Sequence, residues 1–177
     1  PEDYAAECSD ELALEMALAT DNCGSVDVTV VMDTVEGDCP GAFMLVRTFT
    51  AIDACGNSAI ASQTIEVEDT TAPEFTSVPA DQVLTCSDSL VLEMAVATDN
   101  CSEVTLTVQE IQEEGSCGGG FVLTRTFTAT DDCGNSSTAT QTITVQDTTA
   151  PEFTSVPADY TVECSDEMPM DDATARD

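Results

Sequence analysis

The fold is decided by a segment that the chain contains twice, as VRTFTAIDACGNS at 46–58 and TRTFTATDDCGNS at 124–136. The apolar residues Phe121, Leu123 and Phe127 occupy every second or fourth position, and threonines fill most positions between them. A period of two is typical of a β-strand with one buried face. The Cys-Gly-Asn sequence that follows favours a turn. We therefore expect β-strands joined by tight turns.

The chain repeats itself with a period of 78 residues and no gaps. Asp69–Pro79 recurs unchanged as Asp147–Pro157. Such regular copies indicate a tandem array of domains. We expect one domain at 1–69 that lacks its N-terminal linker segment, a second at 70–147, and the start of a truncated third at 148–177. The cysteines in register are Cys8, Cys86 and Cys164; Cys23 and Cys101; Cys39 and Cys117; Cys55 and Cys133.

Each copy contains about seven short runs with strand character in 70–80 residues. This density predicts an all-β fold, a small Greek-key sandwich of the immunoglobulin type. The segment Ser9–Ala19 is ambiguous, because its composition also suits a capped helix. Ala13 aligns with Pro169 of the third copy, and proline disrupts a helix interior. Leu12, Leu14, Met16 and Leu18 also alternate, and we therefore predict a strand.

The composition excludes several classes of function. The chain has 35 acidic and 3 basic residues, a formal net charge of -32, and neither lysine, histidine nor tryptophan. Such a polyanion repels phosphate backbones and anionic lipid headgroups, so neither nucleic-acid binding nor membrane insertion is expected. Without histidine or lysine the usual catalytic bases are missing, and we expect no enzymatic activity. Since 42% of the residues are hydrophobic, the chain can still bury a core.

Nine cysteines without a CxxC pair point to disulfides rather than to zinc, and therefore to an oxidising compartment. We read the chain as a piece of a longer extracellular or cell-surface protein. In an immunoglobulin-like topology only one of three pairings joins cysteines at the same end of a domain. That argument predicts Cys8–Cys39, Cys23–Cys55, Cys86–Cys117 and Cys101–Cys133, with Cys164 left without a partner.

A set of motifs resembles the hyalin-repeat (HYR) family and related immunoglobulin-like repeats. The motifs are DTTAPEF at 69–75, ECSDE at 7–11, ATDNC at 97–101, RTFTATDDCGN at 125–135 and QTITVQDTTAP at 141–151. The resemblance covers the whole chain. It implies β-sandwich modules strung in tandem in long extracellular adhesins, surface filaments and matrix proteins, with roles in adhesion and spacing rather than in catalysis.

Acidic residues at the junction between two repeats are candidate calcium ligands, because Ca²⁺ prefers oxygen donors from several segments. The arrangement is similar to the calcium-rigidified junctions of cadherin repeats. The alternative is that Asp and Asn merely favour turns and that acidic surfaces maintain solubility. The candidates are Asp69 and Glu74 in the linker, Asp99, Asn100, Asp131, Asp132 and Asn135 in the following loops, and Asp147 and Glu152 at a second junction.

Arg47 and Arg125 occupy equivalent positions and share the parity of the inward phenylalanines. We expect each stem to pack against the sandwich and each guanidinium to pair with a nearby carboxylate; the alternative is an ion pair between subunits. Candidate glycan acceptors are Asn100 and Asn135 in Asn-X-Ser sequences, and Thr70 and Thr148 after aspartate.

The sequence therefore predicts a structural module, a disulfide-stapled stalk or shaft of an adhesin or filament. Its expected partners are the neighbouring repeats, with homotypic filament or lateral association as a further possibility. One alternative is an extracellular module that binds a glycan or a protein. Another is an accessory repeat of a secreted enzyme.

Overall fold

A computed structural model describes residues 1–115, 118–161, 163–167 and 171–176 of the 177-residue chain. These residues form strands and no helix, and no helix of them could therefore cross a membrane. The strands are β1 (Tyr4–Glu7), β2 (Val26–Glu36), β3 (Phe43–Asp53), β4 (Ser58–Glu68), β5 (Glu74–Ser77), β6 (Gln82–Thr85), β7 (Val96–Thr98), β8 (Val104–Glu114), β9 (Phe121–Asp131), β10 (Ser136–Gln146), β11 (Glu152–Ser155) and β12 (Thr174–Arg176).

Two four-stranded sheets share one topology. The first has the order β1-β4-β3-β2 and the second the order β6-β10-β9-β8. In both sheets a short strand pairs in parallel with the last long strand, Tyr4 opposite Ile65 and Gln82 opposite Ile143. Equal order in equal register means that the 78-residue sequence repeat is also a structural repeat.

Two-stranded sheets complete the pattern. β5 pairs antiparallel with β7, and β11 pairs in the same way with β12, each with an irregularity in its register. The immunoglobulin-like all-β class expected from the sequence is confirmed. The second repeat is built from six described strands, β5 to β10, rather than the seven or so expected.

The strand predicted at Ser9–Ala19 is wrong. Residues 11–20 belong to no strand, and Leu18 is 97% exposed. Alternating apolar residues need a partner strand to form a ladder, and residues 18–20, the counterpart of β7, have none among the described residues. Leu12 still packs against the buried core residues Leu45 and Ile65, which accounts for part of the apolar character of the segment.

The hydrophobic core follows the predicted alternation. Leu45, Phe49, Ile65 and Val67 are buried on one face of the first sheet. Their counterparts Leu123, Phe127 and Ile143 are buried in the second sheet. Burying each such side chain contributes about 1.5–3 kcal/mol to folding, and the threonines between them lie on more exposed positions.

Both arginines lie inside the fold. Arg47 and Arg125 are at most 2% exposed, and each guanidinium lies 4.9 Å from the ring centre of the phenylalanine two residues on. The predicted carboxylate partner is confirmed for Arg125, whose Nε lies 2.9 Å from Glu110 Oε1. For Arg47 that prediction is wrong: its Nη1 donates to Gln63 at 2.7 Å, and its Nε and Nη2 have no partner among the described residues.

The turn between the two longest strands is built by one aspartate in each repeat. Asp53 Oδ1 accepts hydrogen bonds from the backbone N–H groups of Cys55 and Asn57 at 2.9 and 2.8 Å. Gly56 has a φ of +90°, which an L side chain rarely adopts. The same geometry recurs around Asp131, and the Cys-Gly-Asn sequence is therefore sufficient to form this turn.

The described chain divides into two compact units. One contains Pro1–Asp81, Val91–Ile111 and Thr124–Thr142, which is the first repeat together with the end of the second repeat that follows the linker. The other contains Gln82–Leu90, Gln112–Leu123 and Ile143–Asp177. The residues of the junction between the first and second repeats all belong to the first of these units.

Candidate functional site

Three aspartates converge at the junction between the first and second repeats. Asp69 follows β4, Asp99 follows β7, and Asp131 ends β9. One carboxylate oxygen of each lies within 4.8 Å of the others. Asp69 and Asp131 are buried, with 7% and 6% exposure, and Asp99 is half-buried. Three carboxylates from three segments thus share one small, largely buried volume.

Backbone hydrogen bonds fix the orientation of these carboxylates. Asp99 Oδ2 accepts from the N–H groups of Cys101 and Ser102 at 2.8 and 3.1 Å. Asp131 Oδ1 accepts from Cys133 and Asn135 at 2.9 and 2.8 Å. The Asn135 amide also donates to the backbone oxygen of Asp69 at 2.9 Å, which ties the linker to the turn.

Two oxygens in this cluster have no hydrogen-bond donor. Asp69 Oδ2 and Asp99 Oδ1 are buried and lack a partner among the described residues. Leaving a buried carboxylate oxygen unsatisfied costs free energy of folding. Neither oxygen is compensated by a basic side chain, because the only described salt bridge is the one at Arg125. The cluster therefore presents unused acceptors to a cation.

The electrostatics of the cluster favour a cation as well. Burial raises the pKa of Asp69, and the negative charge of Asp99 raises this pKa further, with smaller contributions from Asp131 and Glu7. Burial also acts to raise the pKa of Asp131, but hydrogen bonds from Asn135, Gly134 and Cys133 together lower it below its ordinary value. Asp131 is thus held ionised while Asp69 is the carboxylate that repulsion penalises.

The other predicted ligands do not join the three aspartates in a single cluster. The amide nitrogen of Asn100 donates to Ser9 Oγ at 3.1 Å, and that of Asn135 donates to Asp131 Oδ2 at 2.9 Å. The remaining four belong to no cluster of three or more candidate ligands among the described residues; they are Glu74, Asp132, Asp147 and Glu152.

One contributor was missed from the sequence. Glu7 lies with Cys8, Asp69 and Cys101 in a second group whose ligand atoms are within 4.8 Å of one another. Its carboxylate accepts hydrogen bonds from the backbone N–H of Thr70 at 3.2 Å and from the Thr70 hydroxyl. The recurrence of ECSDE at 7–11 and 163–167 was the available signal, but position 85 in the second repeat is a threonine.

The disulfides cross the junction rather than staying inside each repeat. Cys8 is bonded to Cys101 and Cys39 to Cys133, with Cα–Cα distances of 5.9 and 5.1 Å. The predicted pairs Cys8–Cys39 and Cys101–Cys133 are therefore wrong. Matching the ends within one domain ignored the next domain, whose loops meet the same end and bring all four cysteines together.

The remaining cysteines are exposed and unpaired where they are described. Cys23 and Cys55, predicted to be bonded to each other, are both free, as are Cys86 and Cys164. The predicted pair Cys86–Cys117 involves Cys117, which lies outside the described residues. Cys23 and Cys55 occupy in the first repeat the positions that Cys101 and Cys133 occupy in the second.

The candidate glycan acceptors lie in different environments. Both amide nitrogens are engaged in hydrogen bonds, Asn100 with Ser9 and half-buried Asn135 with Asp69 and Asp131. A glycan on either nitrogen would have to displace these bonds. The Thr70 hydroxyl donates to Glu7, whereas Thr148 is exposed. Glycosylation stays a prediction.

Comparison with known families agrees with the motifs. A family model described as a HYR-like domain with 4 cysteines matches residues 75–145. The resemblance inferred from the sequence is thereby confirmed for the second repeat, which contains Cys86, Cys101, Cys117 and Cys133 in this range. No curated protein matches the chain.

Among solved structures, cadherin ectodomains resemble the chain. Drosophila N-cadherin EC1-4 has a TM-score of 0.36 and 14% identity, covering 82% of this chain and 48% of that one. Protocadherin gamma B7 domains 1-4 have a TM-score of 0.37 and 13% identity, with coverages of 91% and 54%. Human CDH23 EC21-23 has a TM-score of 0.36 and 15% identity, with coverages of 88% and 76%. The chain spans about half the length of the first two.

Proposed function

We propose that the chain is a structural segment of an extracellular or cell-surface adhesin or filament, in which tandem HYR-like repeats form a stiff spacer. The observation that carries this proposal is the pair of disulfides, Cys8–Cys101 and Cys39–Cys133, that join the first repeat to the second. A flexible linker would serve a tether, whereas two covalent bridges beside the linker restrict both bending and twisting of the junction.

Packing and hydrogen bonds at the junction support the same role. The Pro73 side chain in the linker is less than 2% exposed. Its backbone oxygen accepts a hydrogen bond from the Ser137 hydroxyl at 2.5 Å. Asn100 reaches from the second repeat to Ser9 of the first. A linker with a fixed proline φ and buried contacts has few conformations to explore.

The charge supports an exposed, non-adhesive shaft rather than a sticky surface. A net charge of -32 disfavours collapse of the array and lateral aggregation through self-repulsion. This role is tested by electron microscopy of the purified longer protein that contains these repeats. We expect thin, straight rods whose length grows in proportion to the number of repeats. Compact globules or freely bent chains would contradict a spacer role.

We further propose that Asp69, Asp99 and Asp131 bind a calcium ion at the junction. Ca²⁺ binds oxygen ligands at about 2.3–2.6 Å, so two oxygens on opposite sides of one ion are about 5 Å apart. The observed limit of 4.8 Å fits this geometry. The unsatisfied oxygens of Asp69 and Asp99 would become ligands, and the raised pKa of Asp69 indicates repulsion that a divalent cation would relieve.

The calcium proposal is tested by thermal unfolding of the chelator-treated chain with and without added CaCl₂. We expect calcium to raise the melting temperature of the wild type and to have no such effect on Asp69→Asn. Asp53→Asn is the matched control, because Asp53 is the counterpart of Asp131 outside the cluster. It should keep the calcium response. An equal melting temperature with and without calcium in the wild type would remove the proposal.

A further inference from the structure

We infer that Cys23 and Cys55 are covalent attachment points for the end of a preceding repeat, so that two disulfides cross every junction of the array. The occupant is a repeat of this same sequence type, presenting the counterparts of Cys8 and Cys39. The inference rests on the proposed tandem arrangement, and it is independent of calcium and of the mechanical role.

The two observed disulfides obey one rule. Each joins a cysteine from the trailing end of a repeat to a cysteine from the leading end of the next. Cys8 follows β1 and Cys39 lies between β2 and β3, whereas Cys101 follows β7 and Cys133 lies between β9 and β10. Shifting the bonded positions Cys101 and Cys133 back by 78 residues gives Cys23 and Cys55.

The free thiols are held in the same backbone frames as their bonded counterparts. Asp21 Oδ2 accepts the Cys23 N–H at 2.8 Å, as Asp99 Oδ2 accepts the Cys101 N–H at 2.8 Å. Asp53 Oδ1 accepts the Cys55 N–H at 2.9 Å, as Asp131 does for Cys133. Both loops are therefore preformed for the bond, and little reorganisation is needed to make it.

The trailing end shows the complementary feature. Gly41 has a φ of +86°, and a Cβ there would lie 3.5 Å from Cys8 and 3.7 Å from Cys101. Its counterpart Gly119 has a φ of +84°, and its Cβ would lie 3.7 Å from the exposed Cys86 sulfur. The second repeat thus reproduces around Cys86 the surroundings that Cys8 has next to its disulfide.

Each cross-link is an ordinary thiol oxidation. Two thiols lose two protons and two electrons, and one sulfur–sulfur bond forms. The electrons reduce one disulfide of the oxidant, either oxidised glutathione or a thiol–disulfide oxidoreductase of the secretory compartment, to two thiols. Exposure of Cys23 and Cys55 leaves both sulfurs accessible to that exchange.

The mechanical consequence separates this pairing from bonds within repeats. With bridges across every junction, the covalent path advances one repeat through only the 15 residues from Cys86 to Cys101 or the 16 from Cys117 to Cys133. Fully stretched, that path is about 50–58 Å per repeat. Bonds within each repeat would leave about 46 residues free, a stretched path of about 150–170 Å. A ladder of junction disulfides makes the array nearly inextensible.

The test places residues 70–156 before Pro1 of the full chain, which preserves the register because Pro157 corresponds to Pro1. After oxidation in a glutathione buffer containing a chelator, peptides are mapped by mass spectrometry. We expect Cys86 of the added copy bonded to Cys23 and Cys117 of the added copy bonded to Cys55. A Cys23–Cys55 bond, or alkylation of both thiols in the folded product, would overturn the inference.

The control carries Cys86→Ser and Cys117→Ser in the added copy only, and its Cys23 and Cys55 should react fully with iodoacetamide. Single-molecule stretching of the extended chain gives an independent readout that does not depend on this variant. We expect no unfolding step of about 100 Å or more per bridged repeat until a reductant is added. Such steps under oxidising conditions would overturn the inference even if the array forms straight rods and binds calcium.

Discussion

The leading ends of the first and second repeats have nearly the same sequence and the same turn, but they differ in burial. Asp131 and Cys133 lie at the junction, where Asp131 is 6% exposed and Cys133 is half-buried and bonded. Their counterparts Asp53 and Cys55 form the same hydrogen bonds, yet Cys55 is exposed and free. The turn is thus a local property of the sequence, whereas burial and bonding come from the neighbouring repeat.

The pKa values of the two turn aspartates show the same division. The pKa of Asp53 is lowered, chiefly by the side-chain hydrogen bond from Asn57. The pKa of Asp131 is also lowered, but there burial is the largest single influence and opposes the hydrogen bonds. Adding a neighbouring repeat changes the surroundings of the carboxylate without changing its turn.

The largest effect in this comparison should come from removing a junction disulfide. We expect Cys39→Ser with Cys133→Ser to lower the free energy of unfolding by about 2–5 kcal/mol, because the bridge constrains the unfolded chain. The matched control Cys23→Ser with Cys55→Ser changes free thiols and should leave it unchanged. Guanidinium denaturation of both variants measures the difference. Equal destabilisation by the two double substitutions would contradict the pairing.

A smaller effect is expected at the buried arginines, where the two repeats differ by one residue. Met32 is the counterpart of Glu110, the partner of Arg125. Glu110→Met should destabilise the chain by about 1.5–3 kcal/mol, since it leaves a buried guanidinium nitrogen without its acceptor. Met32→Glu should instead stabilise it, by supplying Arg47 with a carboxylate. Thermal unfolding measures both shifts, and a loss of stability with Met32→Glu would count against this explanation.

The turn aspartates should differ by a still smaller amount. Asp131→Ala leaves half-buried donors on Cys133 and Asn135 unsatisfied, and we expect a loss of about 1–2 kcal/mol. Asp53→Ala exposes the equivalent donors to water, which replaces the lost acceptor, and the expected loss is under about 1 kcal/mol. Chemical denaturation of the two variants is the measurement. A larger loss for Asp53→Ala would show that burial does not set the difference.

The smallest effect is a pH dependence that comes from Asp69. Because its pKa is raised in the folded state, Asp69 favours folding below its ordinary pKa, and this contribution is lost as pH rises through the raised pKa. In calcium-free buffer the stability of wild type relative to Asp69→Asn should therefore fall as pH rises from about 3 to 7. Denaturation at several pH values gives this difference. A rise over the same range would contradict the assigned cause.

Local sequence signals predicted most of the fold. The alternation around Phe127 and the Cys-Gly-Asn turn depend on neighbouring residues in the chain, and the 78-residue register carried both to the next copy. The strand expected at Ser9–Ala19 failed because the alternation of Leu14, Met16 and Leu18 cannot show whether a partner strand is present.

The candidate site was only partly predictable for a related reason. Asp69, Asp99 and Asp131 could be assigned to the junction because the linker and two loops meet there in tandem sandwiches. Glu7 was not, since it comes from the opposite end of the preceding repeat. The disulfide pairing failed at the same place: Cys8 and Cys101 are 93 residues apart, and their contact depends on the packing of two repeats.

Peptide mapping of the oxidised, unmodified chain by mass spectrometry is the most direct measurement on this account. Non-reduced fragments should contain Cys8 linked to Cys101 and Cys39 linked to Cys133, with Cys23 and Cys55 recovered as alkylated thiols. Fragments linking Cys8 to Cys39 and Cys101 to Cys133 would contradict it, because the repeats would then be joined by their linker alone.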